Sequence, residues 1–185
     1  TGFHSSLRGA FTQVEGRDIF LMDSDTFFFA PFSCLFDYLN DYEIVADKCS
    51  WSWGGNKLPL DQCDFYQFNS GVVLFRGDLL QQYGAVVHDY CIEIKNERNK
   101  VGRAMAQYER EINPNAQVKL GREEMAMSAW VLDRELKYKY FDESEVQTCV
   151  MRGRVVPRIF HTMTGNWSKY WFRYWSRGGY HHPLR

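Results

Sequence analysis

The sequence has no excess of charge of either sign and no long apolar run. Its 185 residues carry 22 Lys and Arg against 23 Asp and Glu, a formal net charge of −1. Without a basic excess, nothing favours electrostatic binding to nucleic acid or to an anionic membrane. The apolar stretches at Ile19–Met22 and Phe27–Phe32 fall far short of the roughly 20 residues that a membrane span needs. We therefore expect no nucleic-acid partner and no membrane span in this chain.

Cysteine is sparse, and no targeting segment is visible. Five scattered cysteines, an odd number without tight spacing, argue against a disulfide framework and against a zinc knuckle. No positively charged segment followed by an apolar one opens the sequence, so no signal peptide is predicted. The cysteine pattern favours reduced thiols in an intracellular protein, and the location expected from the sequence is cytoplasmic or unknown.

The chain is rich in apolar and especially in aromatic residues. Hydrophobic residues make up 45% of the sequence and aromatic residues 17%. This apolar content can offset the entropy lost on folding, which excludes a disordered chain. The length suits one compact domain, and neither a repeat nor a low-complexity segment divides it. We expect residues 1–185 to form a single domain.

Short apolar runs predict strands. Ile19–Met22 is wholly apolar, which is typical of a strand buried on both faces. Further strands are predicted at Glu43–Ala46, Gly71–Phe75, Tyr138–Phe141 and Val155–Phe160.

Helical spacing of apolar residues lies between these runs. Separate helices are predicted after Pro31, over Val101–Ile112 and from about Arg122. A helix also starts after Asp78, with Asp78 and Gln81 in the positions of a capping box. Strands that alternate with helices favour an α/β fold, predicted here as a three-layer sandwich with a mixed, mainly parallel central sheet flanked by helices.

Two carboxylates directly follow the first predicted strand. Ligands bind at the carboxyl ends of strands in open α/β sheets, and Asp23 and Asp25 stand there one residue apart. Both can reach one hard divalent cation such as Mg²⁺ or Mn²⁺. The alternative is a polar turn capped by aspartate side chains.

Four segments resemble one enzyme family. IFLMDSDTFFFAPFSCLFDYL (Ile19–Leu39) resembles the Asp-x-Asp segment of nucleotide-sugar glycosyltransferases of the A fold, most closely the family 8, glycogenin-like type. FNSGVVLF (Phe68–Phe75), GREEMAMSAW (Gly121–Trp130) and RIFHTMTGNWSKYW (Arg158–Trp171) resemble later motifs of that family in the same order. The resemblance implies transfer of a sugar from a UDP- or GDP-sugar to a hydroxyl group of a glycan or protein.

The resemblance also implies the residues of the site. Asp23, Asp25 and His161 would hold Mn²⁺ or Mg²⁺. The donor would contact Arg8, Ser24, Asn69, Ser70, Gly71, Gly165 and Lys169. The closing motif departs from the family, because the steps from His161 to Gly165 and from Gly165 to Lys169 are each one residue longer and Tyr170 replaces proline.

Catalytic and acceptor roles fall on further residues. Glu123 and Glu124 stand where the family has an acidic or amide residue, and either would stabilise the transition state or act as nucleophile. First-turn acids also simply complement a helix dipole. Asp47 is a candidate to orient or deprotonate the acceptor, so retention and inversion both stay open. Trp51 and Trp53 are candidates for stacking on the acceptor sugar.

Two alternatives and one mismatch accompany this interpretation. A sugar-binding module without turnover would share the same residues. A haloacid-dehalogenase-like phosphatase fits less well, because Phe27 stands where its motif needs Thr or Val. Family members carry well over 50 residues of nucleotide-binding chain before the metal motif, whereas 22 residues precede Asp23. We expect either a truncated N-terminal part or a nucleotide site completed elsewhere.

Overall fold

The computed structural model describes residues 16–23, 25–48, 67–112, 123–148 and 156–161. Seven strands lie in these segments: β1 Ile19–Met22, β2 Thr26–Phe28, β3 Ile44–Lys48, β4 Phe68–Phe75, β5 Tyr138–Tyr140, β6 Val146–Thr148 and β7 Ile159–His161. The helices of the same segments are a 3-10 helix at Ser33–Asn40 and the α-helices α1 Leu79–Lys95, α2 Lys100–Ile112 and α3 Glu123–Asp133. No helix in the described segments is both long and apolar enough to cross a membrane.

The described strands form two mixed sheets. One has the order β1-β4-β3-β5, in which β4 is antiparallel to both of its neighbours and β5 is parallel to β3. The other has the order β2-β7-β6, with β2 antiparallel and β6 parallel to β7. The predicted α/β class and the mixed sheet are therefore confirmed.

Strand β4 shows why an apolar run does not reveal strand direction. Val73 and Phe75 pack into a core shared with all three α-helices, whereas Val72 and Leu74 pack into a second core with the 3-10 helix and Ile159. Both faces of β4 are thus covered although both of its pairings are antiparallel. The prediction of a mainly parallel sheet was wrong for the described strands, because burial on both faces is independent of strand direction.

The predicted covering of β1 on both faces is confirmed, but its burial is incomplete. All four residues of β1 are only half-buried. Ile19 and Leu21 pack against the helical core, and Phe20 packs against the second core. β1 is the outermost strand of its sheet within the described segments.

The start of α1 is fixed differently from the predicted capping box. Asp78 occupies the N-cap position, but its side chain makes no capping hydrogen bond. Its Oδ1 instead accepts a hydrogen bond from the backbone N–H of Gly16. The neighbouring Gly77 N–H donates to Asp18 Oδ1 at 2.8 Å. These two contacts tie the segment before β1 to the turn after β4.

Helix α3 is attached to β4 by a buried serine. Ser128 is fully buried, and its hydroxyl accepts a hydrogen bond from the Phe68 N–H at 3.1 Å. The same hydroxyl donates to the Glu124 carbonyl at 2.7 Å. The serine therefore joins the first residue of β4 to the first turn of α3.

Ser128→Ala should destabilise the fold by about 1–2 kcal/mol, because the buried Phe68 N–H loses this acceptor. Urea unfolding of both proteins measures the difference in free energy of unfolding. Ser144→Ala, in an exposed turn, is the matched control and should stay within about 0.5 kcal/mol of wild type. Equal stabilities for wild type and Ser128→Ala would contradict the bridging role.

Candidate metal centre

Polar residues lie close together at one end of the strands β1, β3 and β4 of the four-stranded sheet. Asp23 directly follows β1, and Asp47 is the penultimate residue of β3. Since β4 is antiparallel to both strands, its starting residues, including Asn69, lie at this same end. Strand ends of this kind are where open α/β sheets bind ligands, because side chains and loops leave the sheet there.

The pairing of β2 with β7 brings a histidine to the two aspartates. Thr26, the residue after Asp25, lies opposite His161 in the antiparallel register. His161 Nε2 is 3.1 Å from Asp25 Oδ1 and 3.4 Å from Asp23 Oδ2. The three possible ligand atoms all lie within 4.8 Å of one another. The predicted ligand set thus converges, although the chain places the histidine far from the Asp-x-Asp segment.

The cluster of three side chains is buried at His161 and open to solvent at Asp23. The imidazole of His161 is 3% exposed, the carboxylate of Asp25 18% and that of Asp23 42%. A divalent cation seated between them would meet two hard oxygen ligands and one imidazole nitrogen, a set that suits Mn²⁺ or Mg²⁺. The exposure of Asp23 leaves room for ligands from solvent or substrate. The residues present therefore fit such an ion.

The backbone of Gly71 packs directly against the ring of His161. A Cβ atom on Gly71 would lie 2.0 Å from His161 Cε1, so the ring occupies the space of a side chain. The Gly71 carbonyl accepts a hydrogen bond from the Asp23 N–H at 2.8 Å, and its own N–H donates to Asn69 Oδ1 at 2.9 Å. Gly71 thus contacts two of the candidate ligands, His161 and Asp23. The sequence had indicated only a role in donor binding for this glycine.

A bulge in β4 makes this arrangement possible. The pairing of β3 with β4 passes from Ala46–Val73 directly to Asp47–Asn69, so residues 70–72 of β4 have no opposite residue in β3. Ser70, a predicted donor ligand, lies half-buried within this bulge. Asn69 is 1% exposed, and its side-chain oxygen supports the bulge by accepting from Gly71.

Asp47 joins the two sheets. Its carboxylate is buried and accepts hydrogen bonds from the Thr148 hydroxyl through Oδ2 and from the Lys48 N–H through Oδ1. Thr148 is the last residue of β6, next to His161 of β7. The sequence did not point to Thr148, because a short strand with a single threonine carries no signal of its own. The role of Asp47 toward the hydroxyl group of the acceptor substrate remains a prediction. In the structure, its carboxylate also joins β3 to β6 through the Thr148 hydroxyl.

Glu123 is the carboxylate of α3 that is electrostatically coupled to the centre. Burial, then Glu124 and then Asp23, raise the pKa of Glu123 from 4.5 to about 7. The Tyr83 hydroxyl donates to the Glu123 carbonyl at 3.1 Å and so fixes the start of α3. Tyr83 itself is held between Phe75 and Trp130. A carboxylate with an elevated pKa beside a candidate metal centre is typical of functional sites.

The remaining predicted site residues lie outside the described residues. They are Arg8, Ser24, Trp51, Trp53, Gly165 and Lys169.

Comparisons with known proteins add no assignment. No protein-family model matches the chain, and its comparison with curated proteins gives no match. Function must therefore be argued from the residues and the geometry.

Gly71→Ala should weaken Mn²⁺ binding at least about tenfold, because the new methyl group displaces the ring of His161. Overpacking should also lower the free energy of unfolding by about 1–3 kcal/mol. Isothermal titration with Mn²⁺ and urea unfolding measure the two effects.

The His161→Ala background is the control for this substitution. There the ring is gone, and Gly71→Ala should cost little further stability or affinity. An equal loss of stability in both backgrounds would show that the methyl group clashes with something other than His161.

Glu123→Gln should remove a pH dependence of stability. Since the pKa of Glu123 is raised, its contribution to stability is complete below 4.5 and is lost as the pH rises through about 7. At about pH 5 the variant should match wild type, and at about pH 8.5 it should be more stable by about 2–3 kcal/mol. Urea unfolding at both pH values tests this, with the exposed Glu93→Gln as control. A gain that is the same at both pH values would contradict the pKa argument.

Proposed function

We propose that this chain is a metal-dependent glycosyltransferase of the A type, which moves a sugar from a UDP- or GDP-sugar to a hydroxyl group of a glycan or protein. The observation that carries the proposal is the convergence of Asp23, Asp25 and His161, whose ligand atoms lie within 4.8 Å of one another. An Asp-x-Asp segment at a strand end and a distant histidine, joined by strand pairing, are the expected parts of such a donor site.

The chemistry of the donor explains why this site needs a metal. Departure of a nucleoside diphosphate leaves negative charge, and a bound Mn²⁺ or Mg²⁺ supplies Lewis-acid stabilisation of that charge. Asp23, Asp25 and His161 would hold the ion and fix its position. The 42% exposure of Asp23 gives a diphosphate access to the same centre.

Glu123 is the best-supported catalytic carboxylate. It lies close enough to Asp23 for the two charges to interact, and burial raises its pKa to about 7. We infer that it offsets the positive charge that develops at the anomeric carbon. Glu124 follows it in the first turn of α3, and its carbonyl is bonded to the Ser128 hydroxyl. Asp47 is the candidate that orients the acceptor hydroxyl.

The fold is compatible with the A-type sandwich proposed here. The larger sheet is covered by α-helices on one face, and by the 3-10 helix and residues of the smaller sheet on the other. We interpret these as the three layers of that fold. The helical layer carries Glu123, Asp23 follows β1 of the larger sheet, and His161 ends β7 of the smaller sheet.

Binding of a nucleotide sugar should require both the metal and Asp25. Wild type should bind a UDP- or GDP-sugar in the presence of Mn²⁺ and hydrolyse it slowly without acceptor. Asp25→Asn should weaken that binding at least about tenfold, because one charged ligand is lost. Calorimetric titration with and without Mn²⁺ measures affinity, and release of nucleoside diphosphate measures turnover.

The matched control is Asp37→Asn, an exposed aspartate of the 3-10 helix that should behave as wild type. Metal-independent binding of equal strength would contradict the proposed ligand set. Metal-dependent binding without any turnover would instead identify a nucleotide-sugar-binding module. Phosphate release from a simple phosphomonoester would favour the phosphatase alternative.

A further inference from the structure

Two buried polar atoms beside the candidate metal centre have no hydrogen-bond partner within the described residues. They are the hydroxyl oxygen of Thr26 and Nδ1 of His161, and both are inaccessible to solvent. A buried polar atom without a partner is costly, so each such atom in a native structure calls for an explanation. Here the two atoms belong to neighbouring residues.

Strand pairing places these residues side by side. Thr26 and His161 are direct partners in the antiparallel pairing of β2 with β7. Side chains of directly opposite residues project from the same face of a sheet, with Cβ atoms about 5 Å apart. The hydroxyl of Thr26 is therefore on the same face of the sheet as the imidazole of His161. No direct hydrogen bond joins the two groups in this structure, so a different side-chain rotamer or one buried water would have to connect them.

The two nitrogens of the ring have different tasks. Nε2 faces the carboxylates of Asp23 and Asp25 at 3.4 and 3.1 Å. A nitrogen that binds a metal offers its lone pair, so the ring proton must sit on the other nitrogen, which then needs an acceptor. Without metal, Nε2 can carry the proton toward the carboxylates, and Nδ1 then needs a donor. A hydroxyl group can serve as either partner.

We propose that Thr26 is a positioning residue of the metal centre, whose hydroxyl pairs with Nδ1 of His161 directly or through one buried water. With a metal bound at Nε2, the hydroxyl would accept a hydrogen bond from the Nδ1–H group, which would hold the lone pair of Nε2 toward the ion. The inference rests on the metal centre of the proposed function and adds to it the group that orients the histidine. It requires no contact between Thr26 and the ion itself.

The other neighbour of His161 is already engaged. Thr148 lies opposite His161 on the far side, in the parallel pairing of β6 with β7. Its hydroxyl donates to Oδ2 of the buried Asp47. The two threonines thus flank the same histidine across two strand pairings. The Thr148 hydroxyl is bonded to a carboxylate of the larger sheet, whereas the buried Thr26 hydroxyl has no partner within the described residues. This symmetry supplies a matched control.

Thr26→Val, Thr26→Ser and Thr148→Val together test the inference. Valine has the shape of threonine without the hydroxyl. Thr26→Val should weaken Mn²⁺ binding by about 10–100-fold, the usual effect of removing a group that orients a metal ligand. Its stability without metal should fall less than that of Thr148→Val, because no direct hydrogen bond of the Thr26 hydroxyl is lost within the described residues. Thr26→Ser keeps the hydroxyl and should bind Mn²⁺ within about threefold of wild type.

Thr148→Val should behave in the opposite way. It deprives the buried Asp47 of a donor, so stability without metal should fall, while Mn²⁺ affinity should stay within about threefold of wild type. Calorimetric titration with Mn²⁺ and urea unfolding without metal measure both quantities for all variants.

The outcomes separate this inference from the proposed function. Wild-type Mn²⁺ binding that Thr26→Val leaves unchanged would overturn the role of Thr26 alone. Absence of Mn²⁺ binding by wild type would overturn the metal centre and the inference together. Mn²⁺ binding that depends on Thr26, without binding of any nucleotide sugar, would support the inference and overturn the transferase.

Discussion

The candidate centre depends on the packing of the His161 ring against the backbone of Gly71. The ring takes the place of a side chain, since a Cβ atom there would lie 2.0 Å from Cε1. The same glycine accepts the N–H of Asp23 and donates to Asn69. Gly71 of β4 therefore contacts both β7, through the ring of His161, and Asp23, where the chain leaves β1. The two sheets are thus in contact at the candidate ligands.

A second contact between the sheets is polar as well. Thr148 of β6 donates to the buried carboxylate of Asp47 in β3. A shift of either strand would break this hydrogen bond of a buried carboxylate, which is costly. The apolar cores fix which residues of β4 point to which side, because a one-residue slip would exchange its two faces. The polar contacts at the strand ends favour one register, and that register is the one that brings His161 to the aspartates.

Local features of the site could be predicted from the sequence, whereas its assembly could not. The apolar run at Ile19–Met22 correctly predicted a strand with Asp23 at its end. The direction of β4 was not predictable, because a strand covered on both faces reads the same in either direction. β6 has three residues and no distinctive pattern. The approach of His161 followed from a family resemblance, since only the pairing of β2 with β7 brings it there.

The negative charge of Glu123 lowers the stability of the folded protein at neutral pH. Burial and two neighbouring carboxylates raise its pKa to about 7, so its charged form opposes folding at neutral pH. Glutamine has nearly the same shape and would avoid that cost. Tyr83 and Ser128 fix the first turn of α3 through backbone carbonyls, and a negative charge in that turn also complements the helix dipole. The catalytic role proposed for Glu123 would use that charge, since this carboxylate lies within electrostatic reach of Asp23.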